Sequence, residues 1–571
     1  MCGILLSAIL DTVDQQSLDL SYESDAWKSL IEEVTDRGPS SNNDLKCSSS
    51  NFDVKFFSSV LALRSPYTAQ PITGPDGHHI FQFNGELYND ELFGEGESGN
   101  DAQYMYNLLT SGKKNRIVDA IQKVRGEYAF TYYDELDHKI WFGRDCIGRR
   151  SLLYSYDQDL GLIVTSVPPD QRILNNDRGT NVFYPLLLSL KEVPAGILFC
   201  LDLKVRRIIE MPWAYLNMKE TPALYYPYSM VSTKVDGKGP DFEILAENAL
   251  LKVLSDSVSR RVKNIPEPKN VNLESLPHIA ILFSGGLDCT LLALLVDKLL
   301  PSKCEVDLLN VSFENKRTGK GYDTPDRVLG RRSWAELYES RDNKSEPFRF
   351  RFVEINVSFD EMIQHRPKVQ SLMWPKDTVM DLSIAIAFYF ASRGQGSCFQ
   401  MVQGSGEPVL KHEEYTSKAP VLLSGLGADE LFGGYTRHTT RLRQQGYQSL
   451  SLELQLDFSR LHERNLGRDD RVCGNWGKEL RYPFLDEKVV EWAMDCPLRL
   501  KVYHPPFVND VEIYDEVMMQ TKYILRLLAK SHSLLSVSKE KKRAIQFGAK
   551  TAKMDIGEGK SRGTDRLTPL V

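Results

Sequence analysis

The sequence predicts two unlike parts in one chain, a strand-rich α+β part followed by an α/β part built on a parallel sheet. Three observations carry this. Up to about residue 215, short segments at 79–83, 129–133, 139–142 and 161–165 alternate apolar and polar residues between turn residues, as half-buried strands do. From 279 onward, continuous apolar runs at 279–283, 306–313, 350–357 and 421–423 alternate with helical spacing at 243–262, 289–300 and 377–393, which points to strands buried on both faces and joined by helices. Between them, residues 218–240 are polar and contain prolines, as a linker does. The resulting division is 2–215, a linker at 216–240, a second domain at 241–555 and a polar, Gly-rich tail at 556–571 expected to be disordered. The polar 23–50 stretch is expected to hold an exposed loop, and the chain after Tyr435 reads as mainly helical.

The 571 residues are 42% hydrophobic and 26% charged with a net charge of −7, an ordinary globular balance with no bias toward nucleic acid or anionic membrane. No run of about 18 apolar residues is present, and the apolar 4–10 segment lacks a basic flank, so neither a membrane span nor a signal peptide is expected. Nine scattered cysteines without CxxC pairs argue against a disulfide framework or a structural zinc site and for a reducing, cytoplasmic setting. Basic residues gather at Lys539, Lys541, Lys542, Arg543, Lys550 and Lys553; they read mainly as a solvated helix face, with Lys542 and Arg543 the candidates for phosphate contact.

Cys2 is the most informative single residue. Removal of Met1 would give one residue both a thiol and a free α-amine. An α-amine with a reference pKa of about 7.7–8.0 is partly neutral near pH 7 and can accept the thiol proton. The alternative is a small buried cysteine at a strand start.

In the second part, Ser284-Gly285-Gly286-Leu287-Asp288-Cys289-Thr290 ends an apolar strand and opens a helix. Glycines let backbone N–H groups close around an anion at a helix N-terminus, and Ser284 and Thr290 add hydroxyls. The spacing is neither a Walker loop nor a dinucleotide fingerprint. A second turn, Ser424-Gly425-Leu426-Gly427-Ala428-Asp429-Glu430, also ends an apolar strand. Phosphates held by amides call for Mg²⁺, which takes one or two carboxylates with phosphate oxygens and waters. Asp288 with Asp429 is the candidate pair; the alternative is that Asp429 and Glu430 only begin a helix.

Cys2-Gly3-Ile4, the 284–289 segment SGGLDC and the 424–435 segment SGLGADELFGGY resemble, in order and over nearly the whole chain, the glutamine-dependent asparagine synthetase family. The stretches 465–471 and 542–548 resemble the divergent eukaryotic asparagine synthetase domain-containing proteins. The resemblance implies an N-terminal-nucleophile glutaminase domain, a four-layer αββα sandwich, followed by an α/β ATP pyrophosphatase domain. It implies that ammonia freed from glutamine reaches an aspartyl-adenylate made from aspartate and Mg-ATP. By the same resemblance, Cys2 attacks glutamine, Asn84 and Gly85 form the oxyanion hole, and Arg64, Glu86 and Asp101 lie in the glutamine site with Asn84. Asn-Gly is also a hairpin signal, Arg64 an ordinary surface arginine, and Asp101 a helix cap. Leu282 and Val311 match adenine contacts, or plain sheet core. Ser284, Gly285, Gly286, Asp288, Cys289 and Thr290 match the pyrophosphate loop, and Ser424 and Gly425 a second nucleotide turn. Arg481-Tyr482-Pro483-Phe484-Leu485-Asp486 matches a structural segment.

The departures cluster in the second part. Leu426 stands where the family has a glutamate thought to assist ammonia attack, and Ala544 where it has a lysine two residues before Gln546. Cys289 replaces a serine, and Ser40 follows Arg37-Gly38-Pro39 in place of an aspartate. Three functions therefore stand: asparagine formation, amidation of another carboxylate, or a catalytically reduced homologue that binds or senses ligands.

Overall fold

The computed structural model describes residues 2–568 except 12, 14, 49–50, 93–98, 113–115, 177–180, 217–221, 264, 266–278, 302–303, 315–320, 345, 505–519 and 554–561. Two sheets, antiparallel except for the parallel pairing of Leu224–Tyr225 with Arg207–Ala214, face each other in the first part. One runs in the order Lys191–Glu192, Leu153–Asp157, Gly161–Thr165, Gly3–Leu10, Phe52–Val60, Ser41–Ser48. The other runs from Leu224–Tyr225 through Arg207–Ala214, Ile197–Asp202, Lys139–Arg144, Gly126–Asp134 and His79–Leu87 to Ile72–Thr73.

Side chains alternate across a strand, so Ile4, Leu6, Ala8 and Leu10 pack against Ile80, Ala129, Phe142 and Phe199 of the facing sheet. Leu5 and Ile9 turn the other way, onto Trp27, Leu30 and Val34 of the Asp25–Arg37 helix. On the far side, Phe81, Phe83, Tyr128 and Phe130 carry the Asp101–Leu109 and Arg116–Lys123 helices. The layers are αββα, as the family resemblance implies.

The second part is one seven-stranded sheet in the order Pro408–Thr416, Gln395–Met401, Phe350–Val357, Val306–Phe313, Ile279–Leu282, Val421–Leu423, Glu479–Arg481. The five strands from Phe350–Val357 to Glu479–Arg481 are parallel, and a hairpin forms the antiparallel edge. Ile281 pairs with Leu423, so the two glycine turns that follow lie side by side at the carboxyl edge, where open α/β sheets bind ligands.

Three expectations need correction. The 23–50 stretch is not one loop: Ser24 caps a helix at Asp25–Arg37, and Ser41–Ser48 is an edge strand. Trp27, Leu30 and Val34 hold helical spacing that polar neighbours obscure, and an edge strand needs only backbone pairing to Phe52–Val60. The basic 539–543 run lies on no α-helix; it crosses the open mouth of the second sheet. The tail expectation fails where the tail is described, because 562–568 pairs with residues 377–380; the rest of the tail lies outside the described residues.

The parts are joined by buried charge. Glu127 Oε1 accepts from Arg261 Nε at 2.8 Å and from the Tyr482 N–H at 3.1 Å, while Arg150 lies 3.2 Å from Oε2. Arg149 donates to Glu487 Oε1 and Leu485 O, each at 2.6 Å. Removing one partner of such a buried set leaves the others uncompensated. Glu127→Ala should therefore cost about 3–5 kcal/mol, read by urea unfolding.

Candidate functional site

The first site forms where the Gly3–Leu10 strand starts. In His79–Leu87, Ile80, Gln82 and Asn84 share the face toward the other sheet, so Asn84 meets the chain start. The Cys2 N–H donates to Asn84 Oδ1 at 2.9 Å. Asn84 Nδ2 is buried without a hydrogen-bond partner, though Asn84 does not itself line the pocket described below. Gly85 follows inside the strand, so the Asn-Gly pair makes no hairpin turn here. Its φ is +154° and a Cβ would lie 2.0 Å from Glu127 O, which only glycine permits. The Cys2 thiol is buried and accepts from Gln70 Nε2 at 3.7 Å, while Gln70 Oε1 accepts from the Phe83 N–H at 2.7 Å. Burial pushes the thiol up, against the pull of the amino terminus.

Arg64 is no surface residue. Its Nε lies 3.1 Å from Glu86 Oε1, and its Nη1 donates to Leu87 O at 3.2 Å and lies 3.9 Å from Asp101. The helix cap is Asn100, accepting from Gln103 N; Asp101 instead accepts from Leu87 N at 3.1 Å and Ala102 N at 2.9 Å. Burial, with Asp101 beside it, raises Glu86 to about 7. Cys2, Arg64, Gly85, Glu86 and Asp101 line one small pocket, and Glu479 from the other sheet completes it. Burial opposes ionisation of Glu479, yet Arg481 and Arg150 hold it down to about 2.

The second site is a cavity of about 910 Å³ over the paired glycine turns. Leu282, Val311, Ser284, Gly286, Asp288, Cys289, Ser424 and Gly425 line it. Gly285 and Thr290 shape the loop without lining the cavity: Gly285 has φ +79° against the Gly330 backbone, and Thr290 Oγ1 donates to Gly286 O at 2.8 Å. A Cβ on Gly425 would meet Asp288 Cβ at 2.9 Å, so the turns touch because that residue has no side chain.

Asp288 and Asp429 stand on either side of Lys522, whose Nζ lies 2.5 Å from Asp288 Oδ2 and 2.6 Å from Asp429 Oδ1. Lys542 Nζ reaches Asp429 Oδ2 at 2.5 Å. Burial opposes the charge on Asp429, but the two lysines hold its carboxyl well below the usual range. Burial and the neighbouring Asp429 push Asp288 up. Asp288 Oδ1 is buried without a hydrogen-bond partner, which suits a cation bound in place of the Lys522 ammonium. Among the described residues no three or more His, Cys, Asp or Glu groups gather as a metal site, so Mg²⁺ would rest on these two carboxylates, phosphate oxygens and water. Arg543 lies 3.9 Å from Asp326, which burial raises to about 7. Leu426 lines the cavity with Glu430, which accepts from the Tyr435 O–H at 2.5 Å.

Sequence reasoning missed Lys522, Glu479, Gln70 and the tail residues Gly563, Thr564 and Arg566 at the second cavity. Lys522 and Glu479 carry no motif of their own; only the sheet order and long-range packing bring them in. Arg37, noted for its Gly-Pro context, is fully buried between Cys2 O at 3.4 Å and Asp470 Oδ2 at 2.7 Å.

The asparagine synthase family matches residues 270–449 and 443–569, and a glutamine amidotransferase domain matches 59–170. An asparagine synthetase domain-containing protein of Saccharomyces cerevisiae is 38% identical, covering 95% of this chain and 92% of that protein. Asparagine synthetase domain-containing protein 1 of Mus musculus is 32% identical over 98% of both. Asparagine synthetase B [glutamine-hydrolyzing] of Escherichia coli is 22% identical over 75% of this chain and 64% of that protein.

Gly425→Ala should separate the two turns while the fold persists, since the inserted methyl must displace Asp288, and a nucleotide held over the turns should bind roughly tenfold or more weakly. Nucleotide titration beside a melting curve checks this.

Proposed function

We propose that this chain, which belongs to the asparagine synthase family, is a glutamine-hydrolysing, ATP-dependent amidotransferase. Residues 2–215 supply ammonia and 241–555 activate a carboxylate, with aspartate the first candidate and asparagine the product. The observation that carries the reading is the buried, unpartnered Asn84 amide nitrogen beside Cys2. An unpaired amide donor beside the thiol suits the negative charge that develops during attack on an amide.

With Met1 removed, the Cys2 amine takes the thiol proton and the sulfur attacks the glutamine side-chain carbonyl carbon. Asn84 Nδ2–H and the Gly85 N–H hold the oxyanion. The C–N bond breaks, the proton passes to the departing ammonia, and water cleaves the thioester to glutamate. Arg64 and Asp101 suit the α-carboxylate and α-amine of glutamine; the Arg64–Glu86 contact is the one a bound carboxylate would displace.

In the second site, adenine fits between Leu282 and Val311, and the phosphates rest on the 284–290 loop with Ser424, Gly425, Lys522 and Lys542. Asp288 and Asp429 would hold Mg²⁺, which would supply charge neutralisation for the phosphates. The acceptor carboxylate displaces pyrophosphate, and ammonia then displaces AMP. Lys542, rather than the residue at 544, brings the late cation to this cavity. The cavity lining sets no carboxylate at position 426, which supports a second reading in which the acceptor is a carboxylate other than aspartate. Nine unpaired cysteines suit a reducing compartment, and among the described residues no helix is long and apolar enough to cross a membrane.

Cys2→Ala should abolish glutamate release and leave ammonia-dependent amide formation intact. Asn84→Ala should slow glutamine hydrolysis ~10²–10³-fold. Product analysis with glutamine, Mg-ATP and aspartate checks both; glutamate without pyrophosphate or asparagine would refute the aspartate reading.

A further inference from the structure

Gln70 enters the Cys2 pocket from the segment at 61–71, outside every motif of the sequence, and is 3% exposed. Its Oε1 accepts from the Phe83 N–H at 2.7 Å, and its Nε2 lies 3.7 Å from Cys2 Sγ. The Phe83 N–H can only donate, so the amide oxygen faces it and the amide nitrogen faces the sulfur. Exchanging the two would set the NH₂ group against the Phe83 N–H. An amide NH₂ donates and does not accept, so the sulfur is the acceptor of this pair in either protonation state. The main chain at Gln70 is held as well. Asn43 Nδ2, on the Ser41–Ser48 edge strand, donates to Gln70 O at 3.1 Å, and Ser41 Oγ lies 2.5 Å from the Tyr67 hydroxyl.

A donor fixed in this way favours the charged form of its acceptor, because a bond to a thiolate is charge-assisted and one to a thiol is weak. Most of the surroundings pull the other way. Burial is the largest influence on the Cys2 thiol, and the negative charges of Glu479 and Asp101 add to it; all three disfavour the thiolate. The Leu61 main chain favours it. Arg64 and Glu86 line the pocket as an ion pair, and Arg37 reaches Cys2 O rather than the sulfur. Gln70 is the one side chain that presents a donor to Sγ among the described hydrogen bonds.

We propose that Gln70 is a further catalytic residue of the glutamine site, its Nε2–H donating to the Cys2 sulfur as the thiol proton passes to the Cys2 amine and holding the thiolate for attack. The inference rests on the amidotransferase reading, in which Cys2 is the nucleophile, and deepens it. Asn84 and Gly85 serve the negative charge on the substrate oxygen; Gln70 serves the negative charge on the enzyme before the S–C bond forms. Asn43 and Tyr67 act through Gln70 and its segment, which gives the Ser41–Ser48 edge strand a part in the chemistry.

The test is alkylation of Cys2 by iodoacetamide as a function of pH, quantified by peptide mass on protein whose amino terminus is Cys2. Gln70→Glu and Gln70→Met are compared with the unmodified chain, each first shown to melt as a folded protein. Gln70→Glu keeps the oxygen that accepts from Phe83 and turns a second oxygen toward the sulfur; Gln70→Met removes both contacts. A lost hydrogen bond to a charged group lowers the thiolate fraction roughly tenfold, so the Cys2 midpoint should rise by about one pH unit in Gln70→Met. It should rise further in Gln70→Glu, where two anions would meet, while the other cysteines keep their midpoints. The kcat/KM for glutamate release should fall roughly threefold or more, since a more basic thiolate is a better nucleophile and regains part of the loss. Unchanged midpoints in both variants overturn the assignment. So does a rise in Gln70→Met alone, which would reduce Gln70 to a tie for Phe83. Glutamate release that survives Cys2→Ala would instead refute the nucleophile reading, whatever the Gln70 variants do.

Discussion

The two sites are tied to one three-residue strand. Glu479–Arg481 closes the parallel sheet beside Val421–Leu423, and the Ser424 N–H, at the start of the second glycine turn, donates to Arg481 O at 3.0 Å. The side chains of the same strand face the other way functionally. Arg481 Nη2 lies 3.2 Å from Glu86 of the glutamine pocket, its Nε holds Glu479 at 2.7 Å, and Glu479 lines that pocket. Main chain toward the second cavity and side chains toward the Cys2 pocket put one short strand in contact with both sites.

Buried charge enforces this. A guanidinium taken out of water is tolerable only with its hydrogen bonds made, and breaking such a set costs far more than an exposed ion pair is worth. Arg149, Arg150, Arg261, Arg471 and Arg481 are each essentially inaccessible, and each is paired across the junction between the parts or to a residue that is. Arg37 extends the set to Cys2, joining its carbonyl to Asp470 in the second part. Polar pairing of this kind specifies one docking geometry, since an apolar interface of similar area tolerates sliding. The Cys2 pocket is thus closed by a residue from the sheet of the second part, and an isolated first part would lack Glu479.

What could be read from the sequence follows from how local each requirement is. Cys2, the 284–290 loop and the 424–430 turn were legible because their chemistry is written in adjacent residues: a thiol at the chain start, glycines where backbone must approach backbone. The parallel strands at Val306–Phe313, Phe350–Val357 and Val421–Leu423 were legible because strands buried on both faces are uninterrupted apolar runs. Lys522 was not, since a lone lysine becomes meaningful only when a fold carries it between Asp288 and Asp429, 234 and 93 residues away in the chain. The Asp25–Arg37 helix was masked by its polar face, and the Ser41–Ser48 strand by its solvent-facing edge, although both obey ordinary rules once their partners are known. The tail was read as disordered from composition, which is blind to main-chain bonds made to a distant helix start.

The substitution at position 426 acts through the charge of the cavity as well as through lost proton transfer. Leu426 keeps the turn, its N–H donating to Ser424 Oγ at 3.2 Å, so the backbone geometry does not depend on a carboxylate there. A carboxylate at that place would join Asp288, Asp429 and Glu430 in a space where burial already pushes two of those three upward. Leucine adds no charge and makes its part of the cavity wall apolar, where the neighbouring electrostatic contacts are less screened.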